Sequence, residues 1–230
     1  MKFPTRKVRA GSLLLVLAGA AGLHAGNIVG TVDAKAPEGP AEQGGSGAYA
    51  SRRYKFVDKI DYEKLTDFVI NIAEYSPRLP DPAPRRIVQK DATFEPHVLP
   101  VVVGTMVRWP NEDDIYHNVF SMTETQEFNL GFYKKDDAKP HEVPFDKLGR
   151  VDIFCAIHTN MHCIILVLPN PYFAVADAKR RFVIKDVPAG IYKLRAWHER
   201  LPSQVKEVVV PVQGEVKIDF VLGVAELPKI

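Results

Sequence analysis

Four side chains in this sequence could hold one metal ion: His117, Cys155, His158 and Met161. The last three fall in Phe154-Cys155-Ala156-Ile157-His158-Thr159-Asn160-Met161, a C-x2-H-x2-M pattern, and His117 lies 38 positions before Cys155. A thiolate is soft and donates strongly into copper. Two neutral imidazoles complete a trigonal plane, and a thioether caps it at longer range. This mixture suits both Cu(I) and Cu(II), so a change of oxidation state needs little rearrangement. The chemistry expected of such a set is single-electron transfer, with no bond made or broken. Replacing Met161 with Leu is expected to raise the potential.

Three ligands on one short loop converge on a point, and the fourth must arrive from a neighbouring strand. The flanking sequence has that form. Gly149-Arg150 turns into Val151-Asp152-Ile153-Phe154-Cys155, and Ile164-Ile165-Leu166-Val167-Leu168 follows the loop. Asn118-Val119-Phe120-Ser121 carries His117 at its head, after the acidic loop Asn111 to Asp114. Arg86 to Gln89, His97 to Val103, Met106 to Trp109, Glu127 to Leu130 and Glu142 to Phe145 read as further strands. Short apolar runs punctuated by turn residues predict an all-β sandwich or barrel.

Over residues 86–169 the chain resembles the cupredoxin family, and within it the amicyanin and plastocyanin group. The resemblance is carried by Phe94-Glu95-Pro96, Val102 through Trp109, Asn111, His117-Asn118-Val119 and Gly149-Arg150-Val151. The two-residue gap between His158 and Met161 is similar to the short amicyanin loop. The resemblance implies a Greek-key sandwich holding one type 1 copper, with His117, Cys155 and His158 equatorial and Met161 axial. It implies that Asn111 braces the ligand loop and that the Asn118 backbone N–H donates to the Cys155 sulfur. It also implies that His158 presents its edge at an apolar surface where periplasmic redox proteins dock. Methylamine oxidation is one pathway that short-loop members serve.

Residues 170–230 resemble the carboxypeptidase-regulatory-like, or transthyretin-like, β-sandwich. Phe182-Val183-Ile184-Lys185-Asp186-Val187-Pro188-Ala189-Gly190-Ile191-Tyr192-Lys193-Leu194 carries that likeness. Such a unit usually opens on a Gly-x-Val strand, which Gly30-Thr31-Val32 supplies, with Phe68 to Ile72 as the next strand. Residues 26–80 are therefore assigned to this second, smaller sandwich, with the copper-type domain inserted into it. A sequential layout is the competing arrangement. Ala178-Lys179-Arg180 departs from the pattern, standing where a turn glycine is usual. Trp197 and Tyr192 read as core residues rather than a sugar platform.

The 230 residues, 46% hydrophobic and 25% charged, are ordinary for a globular chain of one or two domains. Residues 1–25 have the form of a secretory signal: basic residues from Lys2 to Arg9, an apolar run from Leu13 to Leu23, then Leu23-His24-Ala25 before Gly26. An uncleaved anchor is the alternative. The expected location is periplasmic or secreted, with no membrane span once the signal is removed. Without Lys2, Arg6, Lys7 and Arg9 the chain holds 26 basic against 28 acidic residues, a balance near −2. That gives no electrostatic case for nucleic acid. Residues 34–50 predict a flexible loop, Lys55 to Leu65 a short helix, and Pro77 to Arg86 a linker.

Cys155 and Cys163 are the only cysteines. A disulfide between them would remove a ligand, and Cys163 reads instead as a small buried hydrophobe. A zinc site of Cys155, His158, His162 and Cys163 is disfavoured because neighbouring strand residues point to opposite faces. His162 is expected to face solvent. His97, His141 and His198 have no partners at ligand spacing. Copper enzymes need further histidines, often as His-x-His, and none occurs, so no catalytic residue is assigned. A carbohydrate- or protein-binding scaffold and a copper carrier without redox cycling are the other readings.

Overall fold

The computed structural model describes residues 25–36, 60–75, 82–135, 137 and 141–223. Residues 1–24 of the expected signal, residues 37–50 of the loop, residues 55–59 of the short helix and residues 77–81 of the linker lie outside them. Regular structure among the described residues is all β. In chain order the strands are β1 (Ala25–Ala34), β2 (Val69–Ile72), β3 (Arg85–Arg86), β4 (Val88–Lys90), β5 (Thr93–Glu95), β6 (Val98–Val102), β7 (Thr105–Arg108), β8 (His117–Thr123) and β9 (Gln126–Tyr133). They continue as β10 (Glu142–Phe145), β11 (Gly149–Phe154), β12 (His162–Leu168), β13 (Phe173–Val175), β14 (Arg181–Pro188), β15 (Gly190–His198), β16 (Leu201–Val210), β17 (Glu215–Lys217) and β18 (Phe220–Leu222).

These strands build two sandwiches. In the first, the sheet β6-β12-β11-β8-β9 packs on β10-β7-β3 around Trp109, Phe145, Ile153 and Ile165. In the second, β1 pairs with β14 on one side and with β17 and β18 on the other. That sheet packs on β13-β2-β15-β16 around Ile28, Ile70, Leu194 and Phe220. The chain lays down β1 and β2, completes the first sandwich, and returns for β13 onward. The first sandwich is thus inserted between β2 and β13.

Residue pattern explains where each strand sits. In β14, Phe182 and Ile184 point into the core while Val183 and Lys185 point out, the alternation of a strand wet on one face. In β12, His162-Cys163-Ile164-Ile165-Leu166-Val167-Leu168 is apolar after its first residue because both faces are covered. Cys163, Ile165 and Val167 enter the first core. Ile164, Leu166 and Leu168 meet Val69, Val98, Phe173 and Trp197 in a small core joining the two sandwiches. Each such side chain contributes about 1.5–3 kcal/mol when fully buried. Asn170 clasps the same junction, donating to Ile72 O at 2.9 Å and to Tyr75 O at 2.6 Å.

Two local findings correct or extend the sequence reading. Residues 60–65 hold a turn, not a helix: Asp61 accepts the N–H of Glu63 through its side chain and of Lys64 through its carbonyl. Those bonds give the backbone a local alternative to helix. Arg180 takes a left-handed φ of 59°, as a turn lacking glycine requires. Its guanidinium compensates by bonding Asp33 and the carbonyls of Tyr62 and Glu63. Among the described residues, no helix is long and apolar enough to cross a membrane.

Candidate metal centre

β8 and β11 are antiparallel neighbours, paired at Phe120 and Phe154. Extending that register brings the chain after Phe154 alongside His117 at the head of β8. The loop is closed by its own backbone. Met161 N–H donates to His158 O at 2.9 Å, and Cys155 N–H donates to Met161 O at 3.3 Å. Met161 is buried in the first core, so this end of the loop is fixed by packing.

One donor atom each from His117, Cys155 and His158 lies within 4.8 Å of the other two. His117 Nδ1 stands 3.0 Å from His158 Nδ1, and Cys155 Sγ stands 3.8 Å from the same nitrogen. His117 and Cys155 are buried and His158 is half-buried. Metal–nitrogen bonds of about 2.0–2.1 Å and metal–sulfur bonds of about 2.3 Å limit two ligands of one ion to about 4.2 Å (N, N) and about 4.4 Å (S, N). Both measured separations fall inside those limits. The donor set therefore fits one soft-to-borderline ion.

Asp113 fixes the tautomer of His117. Its Oδ2 lies 2.7 Å from His117 Nε2. A carboxylate only accepts, so Nε2 carries the hydrogen and Nδ1 keeps its lone pair for a metal. The same carboxylate accepts the N–H groups of Asp91 at 2.8 Å and Ala92 at 3.0 Å. Those two residues form the β4–β5 turn, both with φ of 52°. Positive φ at both centres is type I′ geometry, where Asn-Gly is usual. Burial alone would push the Asp113 carboxyl up, but the Ala92, His117 and Asp91 donors outweigh it and hold it below its ordinary value.

Asn118 N–H donates to Cys155 Sγ at 3.5 Å. Its side chain reaches Asn129 Oδ1 at 2.8 Å and Gly131 O at 3.1 Å, steadying β8 beside its bulge. Asn111 behaves differently from what the family resemblance implies. Its amide donates to Ile115 O at 3.1 Å and Tyr133 O at 3.0 Å, and its Oδ1 accepts Asp113 N–H at 2.8 Å. It braces the loop leading into His117, not the Cys155–Met161 loop, because Tyr133 is the strand partner of His117.

The remaining cysteine and histidines resolve as follows. Both cysteines are free, and Cys163 is fully buried, where burial drives its thiol well above the ordinary range. The four-residue zinc set does not assemble, since Cys163 points into the core. His162 does not face solvent freely: it bonds Asp152 at 2.9 Å and stacks on Phe154. His97, read from the sequence as a surface or satisfied histidine without partners at ligand spacing, stands 3.2 Å from Glu199. His198 is buried and accepts Arg200 N–H, and His141 stacks on Tyr133. In the sequence Asp113 is indistinguishable from the rest of the acidic loop Asn111 to Asp114. Its position four residues before His117 is the only sequence signal.

No family model and no curated protein matches the chain. Its structural neighbours include cupredoxins. A purple cupredoxin from Nitrosopumilus maritimus is 24% identical over 36% of this chain and 98% of that one, at a TM-score of 0.32. A copper-containing nitrite reductase from Thermus scotoductus is 24% identical over 42% of this chain and 25% of that one, at 0.34. A Cu(I) methionine-to-alanine variant of amicyanin is 23% identical over 43% of this chain and 97% of that one, at 0.34. Each covers under half of the chain, and the reading of the site rests on its own geometry.

Proposed function

We propose that this chain is an exported blue-copper protein that passes single electrons between periplasmic partners. The observation that carries the proposal is the convergence of His117 Nδ1, His158 Nδ1 and Cys155 Sγ at one end of a packed sandwich. Copper bound there would be held by these atoms together with the Met161 thioether and would supply a one-electron couple. The protein's part is to keep the ligands still. Asp113 anchors His117, and the Asn118 N–H places partial positive charge at the thiolate. The backbone bonds across the loop hold Cys155, His158 and Met161 in one frame.

Access to the centre runs through His158, the one ligand among the three clustered donors that is not fully buried. Exposed apolar residues flank the ligands: Ile157 beside His158, Ile115 and Tyr116 before His117, and Phe132 opposite Asn118. An apolar rim around a partly exposed ligand suits brief docking of redox partners. The alternation of β14 and β15 around Pro188 and Gly190 supports a carboxypeptidase-regulatory-like reading of the second sandwich. Cys155→Ser tests the proposal. It is expected to abolish the intense visible thiolate-to-copper band while far-ultraviolet circular dichroism stays unchanged; a retained band would reject the assignment.

A further inference from the structure

A second group of side chains with donor atoms suited to a metal lies where the two sandwiches meet. His97 stands just before β6, His162 opens β12, and Glu199 sits in the turn between β15 and β16. One donor atom from each lies within 4.8 Å of the other two. Two of these residues belong to the first sandwich and one to the second.

Both imidazoles are already oriented. His97 Nδ1 is 3.1 Å from the carbonyl oxygen of His162. A carbonyl only accepts, so Nδ1 carries the hydrogen, and Nε2 is the nitrogen turned toward Glu199 Oε1 at 3.2 Å. His162 Nε2 is 2.9 Å from Asp152 Oδ1, and Asp152 is itself held by Arg150. The Phe154 ring stacks on His162 at 4.9 Å between centroids and 24° between planes. Each histidine is thus held at one nitrogen by an acceptor, the arrangement that fixes the tautomer of a metal ligand and raises the basicity of its other nitrogen.

His97 Nε2 and Glu199 Oε1 stand 3.2 Å apart, a separation that serves an ion pair between them and also lies inside the span of two ligands on one ion. The three side chains are partly open, at 37%, 27% and 25% exposure for His97, His162 and Glu199. An ion can enter, and water can complete its coordination.

We infer that His97, His162 and Glu199 form a second metal site, separate from the thiolate centre, for a divalent transition ion of the zinc class. Two imidazole nitrogens and one carboxylate oxygen, with no sulfur, suit Zn(II). Because Glu199 comes from the second sandwich, an ion there ties the β15–β16 turn to β12 and fastens the inserted sandwich to its host.

The test is zinc binding by the full chain with the thiolate centre removed, using Cys155→Ala with His117→Ala. One zinc per chain is expected. Adding Glu199→Gln and His97→Gln should weaken it by about tenfold or more. Zinc should also raise the Tm of the Cys155→Ala/His117→Ala chain, and the same two added changes should remove that rise. In case the background variant fails to fold, the wild-type chain is titrated in parallel, where Glu199→Gln with His97→Gln should weaken one zinc equivalent by about tenfold or more relative to the wild type. The inference is overturned if the intact cluster binds no zinc, or if binding survives Glu199→Gln and His97→Gln undiminished. Removing the thiolate centre keeps this outcome independent of whether that centre binds copper.

Discussion

Asp113 Oδ2 lies 2.7 Å from His117 Nε2, and that single carboxylate links His117 to the β4–β5 turn. A carboxylate behind a histidine ligand sets its tautomer and its donor strength. Asp113→Asn keeps the shape and removes the charge. Copper affinity should fall about 10-fold, the lower end for changes behind a ligand. Competition against a chelator of known affinity measures it, and an unchanged constant would show that Asp113 serves only the β4–β5 turn.

Gly30 is where β1 and the Ile218 backbone approach most closely. A Cβ there would clash with Ile218 O, while Ile218 N–H bonds Val29 O at 2.9 Å. The strand cannot yield without losing that bond. Gly30→Ala should destabilise the chain by about 3 kcal/mol, the upper end for overpacking. Urea unfolding reads this directly, and a loss below about 1 kcal/mol would mean that the β17–β18 connection moves aside freely.

Asp219 supplies an acid-sensitive contact on the same sheet. The N–H and Oγ1 of Thr31 both donate to its Oδ1 at 2.9 Å. Those bonds, with Lys217 nearby, hold its carboxyl below the ordinary 3.8. A depressed carboxyl contributes stability above its unfolded value and loses it as pH falls through the folded one. The stability difference between wild type and Asp219→Ala should therefore be constant from neutral pH down to about pH 5 and shrink below 3.8. Denaturant midpoints across that range check it; a difference that grows on acidification contradicts the assignment.

The parts of this protein visible in its sequence are those fixed by local pattern. Cys155, His158 and Met161 share one short loop, so their spacing announces a common target. The alternation in β14 and the unbroken apolar run of β12 identify a one-sided and a two-sided strand. Long-range returns of the chain are not visible this way. The β4–β5 hairpin carries no sequence mark because Asp91 and Ala92 fill a turn that glycine or asparagine normally occupies, and Asp113 compensates from a distant loop. His97, His162 and Glu199 read as unrelated polar residues, being 65 and 102 positions apart as paired. Only the insertion of one sandwich into the other brings them together.

The most direct measurement is the visible spectrum of the purified full chain on adding Cu(II), followed by a reductant. One equivalent of copper should produce an intense thiolate-to-copper band that bleaches on reduction and returns on reoxidation. Copper bound without that band, or a band that reduction leaves intact, would contradict a redox centre at His117, Cys155 and His158.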